Sequence, residues 1–237
     1  MEHLRATIQP LTLVDQVEDK LLNYLKESDI SVGDSIPNEI ELAATIGVAR
    51  SVLREALSRL KMLGIIETRP RRGMIMTAPS VFNGMKRIID PRILDEQTVF
   101  EMLHFRITLE IGMCSDLFLN LTEEDLCELD DIIKHSVLYE NNEYDPYSEY
   151  NFHAKLYEIA GNKIVSEFQE MVYPLMTFVN KKFKDLIEPI NIELEKEGKI
   201  VTHKELFSYL KERDEDGFTK ALKNHFLSYK RLMRSRT

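Results

Sequence analysis

The segment from 47 to 73, GVARSVLREALSRLKMLGIIETRPRRG, restricts the fold of this chain more than any other part of it. Its first half places apolar residues at helical spacing up to Gly64, and two short β-like runs then enclose the turn RPRRG. The preceding run, PNEIELAATIG, predicts a helix with Pro37 at its start and Gly47 at its end. Two helices joined by a short glycine-containing turn are typical of a helix-turn-helix, and the hairpin would be its wing. A further helix is expected to start near Thr12, where leucine and valine residues recur at helical spacing.

This segment is basic within an acidic chain. It contains seven lysine and arginine residues against two glutamates, a local charge of +5, whereas the whole chain has a net charge of −9. Residues 1–78 hold ten basic and eleven acidic side chains, and the remaining residues hold 21 and 29. Because the positive charge is concentrated in one place, we expect a polyanion such as DNA to bind the first part of the chain.

The arginines of the third helix are the expected readers of DNA. Arg50 and Arg54 are four residues apart and share one face at the start of this helix. A recognition helix brings its N-terminal residues to the base edges, and arginine is the usual partner of guanine. Ser51 is placed to reach a phosphate. The wing would add phosphate or minor-groove contacts through Arg69, Arg71, Arg72 and Gly73. The simpler alternative is a solvated helix face followed by a charged turn.

The stretch SVGDSIPNEIELAATIGVARSVLREALSRLKMLGIIETRPRRGMIMT resembles the winged-helix domain of GntR-type bacterial transcription regulators. The pattern of that family reads LP.E.eLA, then gVSR..VREAL..L...G, then rrG..V. The resemblance implies sequence-specific operator binding by a homodimer, and it places Arg50, Arg54 and Gly73 at DNA-contacting positions. The chain departs from the pattern at Ala49, where serine is usual, and at Ile40, where some members carry arginine. One contact to a base or phosphate is therefore expected to be missing.

The rest of the chain predicts a linker and a helical domain. Residues 79–95 carry Pro79, an Asn-Gly and an Asp-Pro pair, which are typical of a linker. Beyond them strand signals are nearly absent, and amphipathic segments follow at about 97–119, 123–140, 147–159, 163–187, 190–211 and 215–234. We therefore predict a mostly α protein. Its parts are a winged helix-turn-helix domain over 1–78, a linker over 79–95 and an antiparallel all-helical bundle over 96–237.

Four residues of the helical domain have the chemistry of metal ligands. Glu149 and His153 lie one helical turn apart, and His225 follows His203 by a length that suits one helix, a turn and a return. Convergence of one carboxylate and three imidazoles would make a transition-metal site. From spacing alone, three helical histidines are more often core or surface residues.

The same domain resembles the FadR-type branch of the family, whose all-helical FCD domain binds an effector. EYNFHAKLYEIAGNKIV is similar to the branch pattern D..FH..L...sGN..L, and HKELFSYLKERDEDGFTKALKNHF is similar to Hr.il.Ai..gD...A....H. The resemblance implies a divalent metal at Glu149, His153, His203 and His225, with glutamate in place of the usual aspartate. Zinc is the expected ion, with nickel or manganese as alternatives.

The opening helix of the branch, l.e.R..lE...a, is matched by FEMLHFRITLEIGMC. This match makes Arg106 the effector-side arginine, which would fork onto a carboxylate, or would simply pair with Glu110. Asn162 is either a second effector contact or the cap of the following helix. The implied effector is a small carboxylated metabolite that completes the metal shell.

The sequence thus predicts a metabolite-responsive, DNA-binding transcriptional regulator, most often a repressor in this family, and no enzyme. A metal-responsive regulator is the first alternative and a metal-dependent enzyme the second, although no HExxH, phosphate loop or nucleophile elbow is present. The chain lacks an apolar run long enough for a membrane and a signal core, so we expect a cytoplasmic protein without membrane contact. Cys114 and Cys127 show no CxxC spacing and are expected to be free, buried thiols.

Overall fold

The computed structural model describes residues 11–139 and 144–236 of the chain. The chain divides into two compact units, and the division falls between Met85 and Lys86, inside the predicted linker. A single 3-10 turn, Met85–Arg87, lies at this division. The unit limits of 78 and 96 that the sequence predicts remain a proposal.

The first unit combines three helices with a small sheet. Its elements in chain order are α1 (Leu13–Glu27), β1 (Ser35–Ile36), α2 (Glu39–Ile46), α3 (Arg50–Met62), β2 (Ile66–Arg69) and β3 (Gly73–Met76). The sheet is antiparallel with the order β1-β3-β2, so that β2 and β3 form the hairpin and β1 pairs with β3. The predicted winged helix-turn-helix fold is confirmed. The short strand β1 was not predicted, because its two residues carry too little pattern to be recognised.

The helices of the first unit begin and end where their capping residues require. Thr12 and Asn38 each accept a hydrogen bond from the backbone of their helix, and each is part of a capping box. Pro37 therefore lies before the cap of α2 and not within its first turn. Gly47 ends α2 with φ 78°, a left-handed conformation that glycine adopts without a Cβ penalty.

The core of this unit decides which face of α3 is left to solvent. Leu53, Ala56, Leu57 and Leu60 of α3 are all fully buried, and they pack with buried residues of α1, α2 and the sheet. Burying a leucine side chain contributes about 1.5–3 kcal/mol. Since this stripe fixes the rotation of the helix, the opposite face must point outward.

Apart from an isolated β-bridge between Leu138 and Tyr144, the regular secondary structure in the described part of the second unit is helical. The helices are α4 (Glu96–Gly112), α5 (Cys114–Asn120), α6 (Glu123–Lys134), α7 (Pro146–Ala160), α8 (Lys163–Lys182), α9 (Lys184–Lys196), α10 (His203–Glu212), α11 (Glu215–His225) and α12 (Leu227–Arg234). The prediction of an all-helical domain is confirmed. Helix α7 contacts α5, α6 and α8, and it buries side chains on several sides. It is therefore the central helix of the unit.

Four of the six predicted segments each cover parts of two helices. The segments 97–119, 163–187 and 215–234 are interrupted at Met113, Phe183 and Phe226, none of which is a typical helix breaker. The segment 190–211 joins the end of α9 to α10, because Gly198 leaves the helix with φ 64° and Thr202 caps a new one. The predicted burial of both cysteines is wrong for Cys127, which is exposed, whereas Cys114 is buried; both thiols are free. Within the described residues, no helix is both long and apolar enough to cross a bilayer.

Candidate DNA-binding surface and candidate metal centre

The outward face of α3 carries the residues predicted to read DNA. Arg50, Ser51 and Arg54 are all exposed, while the leucine stripe of the same helix is buried. The side chain of Arg54 is 61% exposed, and its Nε lies 3.3 Å from a carboxylate oxygen of Glu39 in α2. Such an exposed ion pair holds a side chain only weakly, with a free energy of about 0–1 kcal/mol. Arg54 is therefore kept at the surface and is free to exchange partners.

Ala49 is the N-cap of α3 and makes no side-chain capping hydrogen bond. The serine that the family pattern has at this position would accept a backbone N–H from the first turn. The replacement thus removes a helix cap in addition to the contact that the sequence comparison predicted to be lost. Ile40, at the other departure, is 61% exposed.

The wing places its basic residues in an exposed turn. Arg71 and Gly73 both have left-handed backbone, with φ 64° and 73°, and nothing lies within 4 Å of a Cβ added to Gly73. Glycine is therefore required here by the backbone conformation of the turn. Arg69 pairs with Glu67 at 3.1 Å, and Arg72 donates to the carbonyl oxygen of Gly33 at 3.4 Å. All three wing arginines are exposed.

In the second unit, four residues on three helices meet at one point. Glu149 and His153 lie on α7, His203 is the first residue of α10, and His225 is the last residue of α11. One donor atom from each residue lies within 4.8 Å of all the others. The Nε2 atoms of His153 and His203 each lie 3.2 Å from a carboxylate oxygen of Glu149. The structure thus brings together the four residues that the sequence proposed as a cluster.

The rings of His153 and His225 are each oriented by a hydrogen bond from Nδ1, on the side of the ring away from the cluster. Nδ1 of His225 donates to the carbonyl oxygen of Val201 at 2.7 Å, and Nδ1 of His153 donates to the carboxylate of Glu110. Because a carbonyl and a carboxylate only accept, each Nδ1 carries a proton, and in its neutral form each ring presents a lone pair at Nε2. These two Nε2 atoms lie 3.3 Å apart. Two lone pairs at this distance repel each other unless a proton or a cation lies between them.

The ring of His203 is held by stacking and not by hydrogen bonds. Its ring lies between Tyr144, with a centroid distance of 3.7 Å, and Phe152, at 4.2 Å. The ring is fully buried, and neither of its nitrogens forms a hydrogen bond of good geometry, although Nε2 is near Glu149. A buried imidazole without a partner is uncommon and indicates that the site is completed by another group.

The electrostatics of the cluster favour an ionised carboxylate at Glu149, neutral rings at His203 and His225, and a protonated ring at His153. Burial lowers the pKa of His203 to about 3 and also lowers the pKa of His225. Burial opposes the ionised form of Glu149, but His153 and His203 outweigh it and hold the pKa of this carboxyl well below its usual range. Burial likewise opposes a charged His153, and the carboxylates of Glu110 and Glu149 raise its pKa to about 9. The cluster therefore attracts a positive charge to its centre.

The donor set fits a divalent transition metal. Three imidazole nitrogens and one carboxylate oxygen form a set that zinc and its neighbours accept. Two observations carry this fit, namely the facing lone pairs of His153 and His225 and the orphaned ring of His203. Glutamate is one methylene longer than the aspartate of the family pattern. The carboxylate of Glu149 nevertheless lies 3.2 Å from Nε2 of His153 and from Nε2 of His203.

A cavity of about 50 Å³ opens beside Glu149 and His225. Its polar lining comes from several helices and includes Tyr144, Asn180, Asn191, Asn224, Ser228 and Tyr229. Tyr229 donates from its hydroxyl to Asn180 at 2.9 Å, and Tyr144 accepts from the backbone N–H of His203 at 3.0 Å. The cluster therefore borders a cavity whose walls carry hydrogen-bonding groups.

Arg106 and Asn162, the two predicted effector residues, do not line this cavity. Arg106 is 2% exposed, lies 3.5 Å from Glu110 and 3.7 Å from Glu149, and stands over the ring of Phe226. The predicted pairing of Arg106 with Glu110 is confirmed. Asn162 caps α8 by accepting from the backbone of Ile164 and Val165, which is the structural role foreseen for it. Effector contact by either residue stays a prediction.

Some residues of the site were not predicted. Glu110 was expected only as a partner of Arg106, although it also orients His153. The stacking of Tyr144 and Phe152 on His203 was not foreseen either. A sequence signal existed only for Glu110, because two opposite charges four residues apart on the apolar helix α4 suggest a buried pair. The two remaining described histidines stand apart from the cluster, His104 in α4 and His135 at the end of α6.

Comparison with known proteins finds relatives over most of the chain. The family model "Bacterial regulatory proteins, gntR family" matches residues 13–75, and the FCD domain model matches residues 101–228. The chain is 28% identical over 218 residues to the HTH-type transcriptional regulator YcbG of Bacillus subtilis (strain 168), which covers 90% of this chain and 87% of the relative. It is 22% identical over 222 residues to the HTH-type transcriptional repressor NanR of Klebsiella aerogenes, covering 91% and 83%.

A solved structure, Streptococcus agalactiae GntR, is similar with a TM-score of 0.56 and 22% identity. The similarity covers 94% of this chain and 100% of that chain, and it supports the fold. The two family models confirm the family that the sequence motifs indicated.

We expect zinc to raise the melting temperature of the metal-free, full-length protein. A ligand bound only by the folded state stabilises it by about 2.7 kcal/mol at a hundredfold excess over its Kd. His203→Ala should abolish this rise and the bound metal, whereas His135→Ala, at an exposed ring outside the cluster, should retain both. The measurement is differential scanning calorimetry with elemental analysis after dialysis. Retention of one tightly bound metal by the His203→Ala protein would show that the cluster is not the site.

Proposed function

Because this chain belongs to the gntR family of bacterial regulatory proteins and carries an FCD domain, we propose that it is a metabolite-responsive repressor of transcription. Proteins of this family are transcriptional regulators and not enzymes, and the chain is one of them. It acts as a homodimer on an operator in double-stranded DNA, in the cytoplasm. A small carboxylated metabolite binds at the metal centre of the second unit and weakens operator binding.

One observation carries the effector half of this proposal. The four donors of the cluster lie next to a cavity with a polar lining, so a metal held by Glu149, His153, His203 and His225 would be reachable by a small ligand. A metal site that keeps an open position beside a cavity is suited to binding a ligand, whereas a closed site is structural. NanR, which is similar to this chain over most of its length, is a transcriptional repressor by its name. This similarity supports repression and not activation.

In the DNA-binding half, α3 is the recognition helix. Arg50 and Arg54 reach guanine edges from its first turns, and Ser51 contacts a phosphate. Arg54 exchanges Glu39 for the base, which is inexpensive because the pair is exposed. The wing residues Arg69, Arg71 and Arg72 neutralise phosphates, with Gly73 keeping the turn in its conformation. In a dimer, two such helices meet half-sites about 34 Å apart, one turn of the duplex.

The metal is zinc, with nickel or manganese as alternatives. When bound, it supplies a Lewis-acidic charge that attracts the carboxylate of the metabolite. The protein holds the donors ready, since Val201 and Glu110 fix the tautomers of His225 and His153, and Tyr144 and Phe152 fix the ring of His203. The amides and hydroxyls of the cavity form hydrogen bonds to the rest of the ligand. Arg106 adds a positive charge behind Glu149, and Asn162 orders the start of α8.

Regulation requires that the metabolite favour one of two arrangements of the dimer. A coupling free energy of about 1–3 kcal/mol between the two sites is typical of such systems and changes operator affinity about 5–150-fold. Helices α10 and α11 carry two of the metal ligands at their ends, so ligand binding there acts on the positions of both helices.

A second candidate function is metal sensing, in which the ion itself is the signal. This function is favoured by the burial of Glu149, His153 and His203. Three buried donors can bind a metal without a further ligand from outside, and metal binding then stabilises the fold around them. The two candidates differ in what releases the operator. A metabolite sensor responds to an acid while its metal stays bound, and a metal sensor responds to the chelator alone.

We expect Arg50→Ala and Arg54→Ala each to weaken operator binding by about 1–3 kcal/mol, since each removes a base contact. Lys26→Ala, which removes an exposed lysine at the end of α1, serves as the control and should leave the affinity unchanged. The measurement is fluorescence anisotropy with the DNA upstream of the gene itself, at several salt concentrations. Equal binding to random DNA, or an affinity that does not fall with salt, would contradict operator recognition.

With the metal-loaded protein, a panel of small carboxylic acids should reveal at least one that lowers operator affinity about 5–150-fold. Elemental analysis of the same samples must show that the metal is retained. Failure of every acid, together with loss of binding on chelation, would replace the metabolite-sensing proposal with metal sensing.

A further inference from the structure

A set of buried charges lies at and behind the metal cluster, and only one of them, Glu149, lines its cavity. Arg106 is 2% exposed and Glu110 is fully buried, and their side chains lie 3.5 Å apart. Arg106 also lies 3.7 Å from Glu149, which is 8% exposed. One positive and two negative groups are thus fixed beside the cluster, with a sum of −1. We call Arg106, Glu110 and Glu149 the charge triad.

We propose that the charge triad makes the cavity accept a small monocarboxylate and reject dicarboxylates. This inference rests on the metal-dependent effector binding proposed above, and it names the chemical class of the effector. It concerns the charge of the ligand and not its carbon skeleton.

The charge balance of the occupied site leads to this class. A divalent ion brings the sum of the triad from −1 to +1, because the three histidines that bind it are neutral as ligands. One carboxylate then brings the sum to zero. A second carboxylate leaves an uncompensated negative charge in a partly buried place, which is costly.

The cavity offers no cation to a second carboxylate. Among the described residues that line it, there is no lysine and no arginine. Apart from the proposed metal ligands Glu149 and His225, its polar side chains are neutral amides and hydroxyls, contributed by Asn180, Asn191, Asn224, Ser228 and Tyr229 among others. Such groups donate to and accept from hydroxyls of a ligand but do not balance a charge.

Glu110 is the residue of the triad that can be changed without touching the ligand. It does not line the cavity and reaches the cluster only from behind, through Nδ1 of His153. Glutamine at this position keeps an oxygen that accepts from Nδ1 and removes one negative charge. The occupied site would then balance two carboxylates instead of one. Glu110 is therefore a positioning residue that also sets the charge of the ligand.

The test compares pairs of acids in which one member carries one more carboxylate than the other. Isothermal titration calorimetry of the full-length, zinc-loaded protein is carried out with lactate against tartronate and with 2-hydroxybutyrate against malate. In each pair a methyl group is replaced by a carboxylate. Elemental analysis after the titration shows whether the acid has removed zinc. We expect each monocarboxylate to bind at least about tenfold more tightly than its partner.

A tartronate or malate affinity equal to or above that of its partner, with zinc retained, overturns the inference and leaves metabolite sensing intact. If no acid of either kind binds and none changes operator affinity, both the inference and the effector proposal fail.

Variants separate charge from structure. Glu110→Gln should shift the ratio of affinities toward the dicarboxylate by about tenfold, while Glu110→Asp, which keeps the charge, should retain the preference of the wild type. A purely structural role of Glu110 would weaken both acids of a pair equally in both variants. Asn224→Lys adds a cation to the lining and leaves the triad intact, so it should also favour the dicarboxylate. Unchanged affinity ratios in Glu110→Gln and Asn224→Lys would overturn the role of the charge triad.

Discussion

The polar groups on helix α7 must be satisfied inside an apolar bundle, and this constraint organises the second unit. His153 is fully buried, and Glu149 is nearly so, on a helix that packs against α5, α6 and α8. Glu110 and Arg106 of α4, His203 of α10 and His225 of α11 supply their partners. The Nε2 atoms of His153 and His225 still face each other at 3.3 Å, and the ring of His203 has no well-formed hydrogen bond. In the proposed function a cation completes the group, and the fixed charges behind it limit which anion binds.

In the first unit, packing and turn geometry determine which side chains are exposed. The leucine stripe of α3 fixes which side of the helix is buried, and the arginines of the first turns therefore lie outside, where Arg54 is held only weakly by its exposed ion pair with Glu39. The hairpin adds three more arginines around a turn whose backbone needs glycine at 73. Positive charge is thus displayed by packing and turn geometry, in a chain that is acidic as a whole. In the proposed function α3 and the wing bind the DNA, because the acidic second unit repels a polyanion.

Much of this was predictable because local patterns decide it. Helical spacing, capping residues and the glycines at 47 and 64 fix the elements of the first unit, and the family motif places the four cluster residues. The helix breaks at Met113 and Phe226 were not predictable, since no proline or glycine marks them. The contact of Glu110 with His153 joins residues 43 positions apart. It depends on how α4 and α7 pack, and a single sequence does not contain that information.

X-ray absorption spectroscopy of the purified, zinc-loaded protein tests the metal centre most directly. A coordination shell of nitrogen and oxygen at about 2.0–2.2 Å is expected, with the multiple-scattering features of histidine rings. The amplitude of those features should correspond to three imidazoles and should fall to two in the His225→Ala protein. A shell without histidine scattering, or with sulfur ligands, would contradict coordination by Glu149, His153, His203 and His225.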